Sequence, residues 1–254
     1  MRFIRSHGLG NDYLILESGE ALPPALVRAV CDRHTGLGSD GILEPIPGRE
    51  GVAFGVRIHN PDGSEAEKSG NGLRIYAHWR AGGIPSTFRV WTAGGVVGCQ
   101  VQGDHVRVTM GVAHVGEAVD HGGHTFHPVD IGNPHHVCFE QPADWRALAA
   151  AVEHSVPGRT NVQFAHIDAP HRVHVSVWER GAGETRSSGS SACAVVAVAV
   201  ARGLLRSPVT VEMAGGSLLV EVAEDGTVTM EGPVEPIAIV VVDERWLMRR
   251  TPRS

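Results

Sequence analysis

Ser69-Gly70-Asn71-Gly72 opens into an apolar run from Leu73 to about Trp79, and Ser188-Gly189-Ser190-Ser191 opens in the same way into Ala192–Ala201. The match extends upstream. Asn60 stands nine residues before Ser69, and Glu179 nine before Ser188, each at the end of a strand-like run, Val56-Arg57-Ile58-His59-Asn60 and Val173-His174-Val175-Ser176-Val177-Trp178-Glu179. It also extends downstream: Thr92-Ala93-Gly94-Gly95 is answered by Met213-Ala214-Gly215-Gly216, and Val108-Thr109-Met110 by Val228-Thr229-Met230. A repeat of this kind decides the architecture before any single element does. The alternating segments around Gly103-Asp104 and Asp225-Gly226 predict antiparallel hairpins. A helix apolar on nearly every face must be enclosed. The expected fold is therefore α+β, with two pseudo-symmetric domains, each a mainly antiparallel curved sheet wrapped around a central helix. The expected domains are residues 1–116 and 117–239, joined through the glycine- and histidine-rich stretch 116–123, with 240–254 a candidate to complete the first. Two outer helices are predicted: one started by Pro23-Pro24 and ended by Gly36, and an amphipathic one over 142–154 with Trp145, Leu148, Ala149 and Val152 on one stripe.

Composition narrows the function. The 254 residues carry 22 Lys+Arg against 28 Asp+Glu, a formal net charge of -6, with no basic run to follow a phosphate backbone, so nucleic acid is not an expected partner. The longest apolar stretch, Ala192–Ala201, is ten residues, against the roughly 20 a bilayer-crossing helix needs. The charged opening Met1-Arg2-Phe3-Ile4-Arg5 is unlike a secretory signal; no membrane and a cytoplasmic location are expected. The four cysteines, Cys31, Cys99, Cys138 and Cys193, form no CxxC pair and read as small buried hydrophobes. Among 15 histidines, His135-His136 and the strand pair His171 and His174 point to opposite faces, and the trio His121, His124 and His127 reads as a solvated loop. Neither a metal nor any other cofactor is expected.

The duplicated loops carry the chemistry. A glycine-containing turn that feeds a helix offers backbone N–H groups at the positive end of the helix dipole, a place for a carboxylate or phosphate. Each copy adds a hydroxyl, Ser69 or Ser188, with Asn71 or Ser190 two residues on. Serine before a helix is also a plain N-cap, and for one copy alone that reading would prevail. Two copies in matched register favour a pair of proton-handling groups addressing opposite faces of one carbon, with both helix starts turned to a shared cleft.

Six segments resemble diaminopimelate epimerases, in family order over nearly the whole chain: His7-Gly8-Leu9-Gly10-Asn11-Asp12, Asp32-Arg33-His34-Thr35-Gly36-Leu37-Gly38, Asn60-Pro61-Asp62-Gly63-Ser64-Glu65, Gly70-Asn71-Gly72, Gly132-Asn133-Pro134-His135 and Glu179-Arg180-Gly181-Ala182-Gly183-Glu184-Thr185. The resemblance implies a two-domain fold with the active site between the halves, and a cofactor-independent racemisation of a small amino acid, as in the conversion of LL- to meso-diaminopimelate in lysine biosynthesis. In such enzymes two cysteines, one per domain, exchange the α proton; their positions here are Ser69 and Ser188. The resemblance further places His135 and Glu179 beside the catalytic pair. It assigns the α-carboxylate to Gly70, Asn71, Gly189 and Ser190, and the substrate's polar ends to Asn11, Asn60, Asn133, Asn161, Glu179 and Arg180. Gly41 occupies a position where the family leads us to expect glutamine. The expected partner is a small amino acid, and the assembly to look for is a homodimer.

The serines leave three readings open. A thiol ionises near 8.5 and can be driven lower beside positive charge or a helix amino terminus, whereas an alcohol starts several units higher. Each unit costs about 1.4 kcal/mol, and a helix dipole supplies at most about 2 kcal/mol. The chain could be an amino-acid epimerase whose serines are activated by His135, Glu179 or another base. It could be an isomerase or dehydratase that uses a non-cysteine base, or a catalytically silent amino-acid-binding relative. The first is favoured because the groups expected to read an amino acid are nearly all present.

Overall fold

The structure is a computed structural model that describes residues 1–18 and 22–250. It contains, among the described residues, helices α1 (Pro24–Cys31), α2 (Gly70–Ala81), α3 (Trp145–Ser155), α4 (Gly189–Ala201) and α5 (Glu244–Met248). The chain divides into two compact units, one made of Met1–Val106 with the segment from Pro233 onward, the other of Arg107–Gly232.

In the first unit strand Arg2–Gly8 pairs antiparallel with Asn11–Leu16, which runs parallel to Ile42–Pro47. Ile42–Pro47 pairs antiparallel with Phe54–His59, which runs parallel to Ser86–Thr92, and that strand turns back antiparallel onto Gly95–Gln102. The second unit repeats the sequence of pairings. His124–Asp130 is antiparallel to Pro134–Cys138, which is parallel to Asn161–Ala169. Asn161–Ala169 is antiparallel to Arg172–Glu179, which is parallel to Val209–Met213, itself antiparallel to Gly216–Val222. The duplication is thus one of topology as well as of motif, and both units are mainly antiparallel sheets with one central helix. Strand Glu235–Val241 pairs with Arg2–Gly8 in the first unit.

Helix α4 is apolar on every side, and Ala192 to Ala199 are all buried, as enclosure by a sheet requires. Helix α2 departs from that pattern. It carries Arg74, fully buried, whose guanidinium donates to the Asn71 side-chain carbonyl at 2.6 Å and to the Pro233 carbonyl at 2.9 Å. A charge is tolerated there because hydrogen bonds replace part of its hydration. The four cysteines are buried, and burial pushes the Cys31 and Cys99 thiols up to about 12.

Three local expectations are corrected. Helix α1 ends at Cys31, not at Gly36: the Asp32 carboxylate accepts the backbone N–H groups of His34 and Thr35 at 2.9 and 2.5 Å, a local turn that competes with a further helical turn. Gly36 is instead a place of close approach, where a Cβ would stand 2.1 Å from the Ala29 carbonyl oxygen. The trio His121, His124 and His127 lies on the strand pair Val119–His121 and His124–Asp130, not in a loop; His127 is buried and His121 stacks edge-on against Phe126 and His136. His171 lies in the turn before Arg172–Glu179, where it bonds the Pro208 carbonyl.

Arg74→Leu should lower stability by about 2–4 kcal/mol, because it strands a buried carbonyl and a buried amide oxygen. Urea denaturation measures this directly, and a loss under about 1 kcal/mol would mean that these bonds do not hold the helix in place.

Candidate active site

Both helix starts are built alike. Ser69 and Ser188 are extended N-cap residues whose side chains accept the backbone N–H three residues on, from Gly72 at 3.1 Å and from Ser191 at 3.5 Å. The first intrahelical bonds run from Leu73 to Ser69 and from Ala192 to Ser188. By helix geometry the N–H groups of Gly70 and Asn71, and of Gly189 and Ser190, have no partner within their helix. The cap therefore uses one donor and leaves two at the positive end of each dipole. Ser69 Oγ also lies 3.0 Å from the Tyr13 hydroxyl, and Ser188 Oγ 3.5 Å from Ser190 Oγ.

Beneath the α2 terminus a polar chain fixes the loop. Arg33 donates to Asp40 at 2.6 Å, Asp40 accepts the Asn11 amide at 2.9 Å, Asn11 accepts the Asn71 amide at 3.1 Å, and Asn71 accepts Arg74. Asn60 holds its own turn, donating to Ser64 Oγ at 3.0 Å. In the second unit Asn161 donates to the Pro134 carbonyl and accepts the Arg180 backbone N–H, at 2.9 and 3.0 Å. Its amide thus ties the segment 132–135 to the segment 179–185. Glu179 accepts the Thr185 hydroxyl at 2.8 Å, while the Arg180 side chain is exposed. Asn133 and His135 bond one another at 2.9 Å.

Several supports were missed at the level of sequence. Tyr13 sits two residues beyond Asn11 on one strand, hence on the same face, a signal that was present in the chain. Glu153 is buried in α3 and accepts Trp178 Nε1 and the Gly181 N–H, each at 2.8 Å, so it anchors the loop that carries Glu179 and Arg180. An acid on the polar edge of an amphipathic helix gives no such warning.

The family model described as diaminopimelate epimerase matches residues 3–115 and 127–237. The chain belongs to the diaminopimelate epimerase family. It is 37% identical over 270 residues to diaminopimelate epimerase 2 of Nostoc sp., covering 94% of each chain, and 37% identical over 281 residues to the diaminopimelate epimerase of Desulforudis audaxviator, covering 97% of this chain and 99% of that one. Among solved structures it resembles a hydroxyproline epimerase from Agrobacterium vitis with bound trans-4-OH-L-proline, at TM-score 0.74 and 17% identity over 94% of this chain and 90% of that one. It also resembles a phenazine biosynthesis protein from Bacillus anthracis, at TM-score 0.73 and 12% identity over 95% and 99%. At such identities these two show a shared fold.

Within this family member His135 is not poised to take a proton. Burial drives its imidazole down to about 3, against a smaller upward pull from Gln163. Burial likewise takes His136, bonded to Thr160 Oγ1 at 3.0 Å, down to about 4. Both rings are neutral at pH 7. Unfolding lets each bind a proton below its ordinary value of about 6.5, so their contribution to stability is complete above that pH. It is lost as pH falls from there towards 4 and 3, at up to about 1.4 kcal/mol per pH unit for each ring. Urea midpoints at pH 7 and pH 5 should differ less in His136→Gln than in the natural protein; equal differences would mean that this ring is not held neutral by the fold.

Proposed function

We propose that this chain is a cofactor-independent epimerase of a small α-amino acid with a second polar end, diaminopimelate or a close analogue. The observation that carries this reading is the paired helix start: in each unit a serine hydroxyl and two backbone N–H groups without intrahelical partners stand together at a duplicated position. Family membership over nearly the whole chain supports it.

In this reading Gly70, Asn71, Gly189 and Ser190 hold the α-carboxylate through backbone N–H groups. That contact withdraws charge from the α carbon and acidifies its hydrogen. Glu179 and Arg180 offer both signs of charge to the zwitterionic far end. Asn11, Asn60, Asn133 and Asn161 act chiefly as positioning groups, since their amides are engaged as described above. His135, neutral and bonded to Asn133, contributes a hydrogen bond and shape; it does not serve as the base. Ser69 and Ser188 are the proton-transfer groups, one taking the α hydrogen and the other returning one from the opposite face. Self-association into a homodimer is part of the proposal, supported by the exposed apolar side chains of Ile237, Ile239 and Val241 on strand Glu235–Val241.

Replacing both serines by cysteine should raise diaminopimelate epimerisation by about 100-fold or more, because a thiol stands several units closer to the working pH. Either single replacement should help less, since inversion needs a competent group on each face. Chiral chromatography of the product measures this. A double variant that folds, binds diaminopimelate and remains inert would overturn the epimerase reading.

A further inference from the structure

Asn11 and Tyr13 lie two residues apart on strand Asn11–Leu16 and so share a face; opposite them Asn71 and Ser69 lie two residues apart at the start of α2. The pairs meet in register, Asn11 with Asn71 and Tyr13 with Ser69, the second at 3.0 Å between hydroxyl oxygens. The ring of Tyr13 is buried, at 6% exposure, and its room comes from Gly41. A Cβ at position 41 would stand 2.6 Å from Tyr13 Cε1 and 2.6 Å from the His59 carbonyl oxygen. Gly41 is thus the residue against which the tyrosine ring rests.

We infer that Tyr13 is the positioning and proton-supplying partner of Ser69, so that a phenol and an alcohol in series do the work of one thiol. The inference rests on the epimerase reading above. An alcohol alone cannot release a proton at neutral pH without forming an alkoxide. A phenol ordinarily ionises near 10, within about two units of a free thiol. With Tyr13 donating, Ser69 Oγ accepts from the phenol and from the Gly72 N–H, and its own hydrogen is left to point outward. Protonation of the α carbanion then breaks the Ser69 O–H bond as the new C–H bond forms from the carbanion's electron pair. In the same motion the Tyr13 proton passes to Ser69 Oγ, and the negative charge leaves carbon and rests on the Tyr13 phenolate. No alkoxide appears. In the reverse direction Tyr13 first gives its proton to solvent; the phenolate then takes the Ser69 proton as Ser69 Oγ takes the α hydrogen, which restores the carbanion and the neutral phenol, and after a forward transfer solvent returns a proton to the phenolate.

Tyr13→Phe removes one oxygen and keeps the ring. Uptake of solvent deuterium at the α carbon of diaminopimelate, followed by proton NMR, should fall about 100-fold in this variant, within the range for loss of a proton-transfer group. Calorimetry should find its affinity for diaminopimelate within about twofold of the natural protein's, which also reports an intact fold. In a Ser69→Cys background the same substitution should cost less than about tenfold, because a thiol holds and releases the proton itself. A loss below about tenfold in the natural background, or an equal loss in both backgrounds, overturns the relay and leaves the epimerase reading standing. Absence of exchange in the natural protein overturns both.

Discussion

A serine side chain accepting the third N–H of its own helix is the contact on which the rest of the site depends. It occurs twice, at Ser69 and at Ser188, and such a cap is worth about 1 kcal/mol wherever it occurs. Here it also fixes two positions. The oxygen is held at the helix end, and the two remaining N–H groups are left where an anion gains most from the dipole.

Around these caps the two units share their pairing order but not their polar chemistry. The first braces its helix start with charge: Arg33, Asp40 and Arg74 join Asn11 to Asn71. The second braces the loop that carries Glu179 and Arg180 through one buried acid, Glu153, which holds Trp178 and Gly181. Topology can be copied with the backbone alone, whereas side-chain networks are free to diverge once each set of buried groups is satisfied.

The duplication was legible because glycine, serine and alternating apolar residues recur at fixed spacing, and each such residue has one strong local consequence. Gly36 does not end helix α1, because Asp32, four residues earlier, offers the backbone a turn that the apolar pattern does not register. Arg74 could be seen in the sequence, yet its burial depends on a carbonyl at Pro233, far along the chain. Tyr13 and Gly41 could not be related without the parallel pairing that lays Ile42–Pro47 beside Asn11–Leu16. Lone polar residues acquire meaning only from partners that the fold brings to them, and periodicity carries no trace of those partners.

The fold itself does not dictate a reaction, since its structural relatives include both an epimerase and a phenazine biosynthesis protein, and function resides in the groups grafted onto it. What this chain retains is the pair of anion-ready helix ends. Their occupation by an amino acid is best tested by nitrogen-15 NMR of the amides while diaminopimelate is added. The account predicts that the largest shifts fall on Gly70, Asn71, Gly189 and Ser190, with Gly72 and Ser191, already held by the capping serines, moving less. Saturable binding that leaves those four amides unmoved would contradict it.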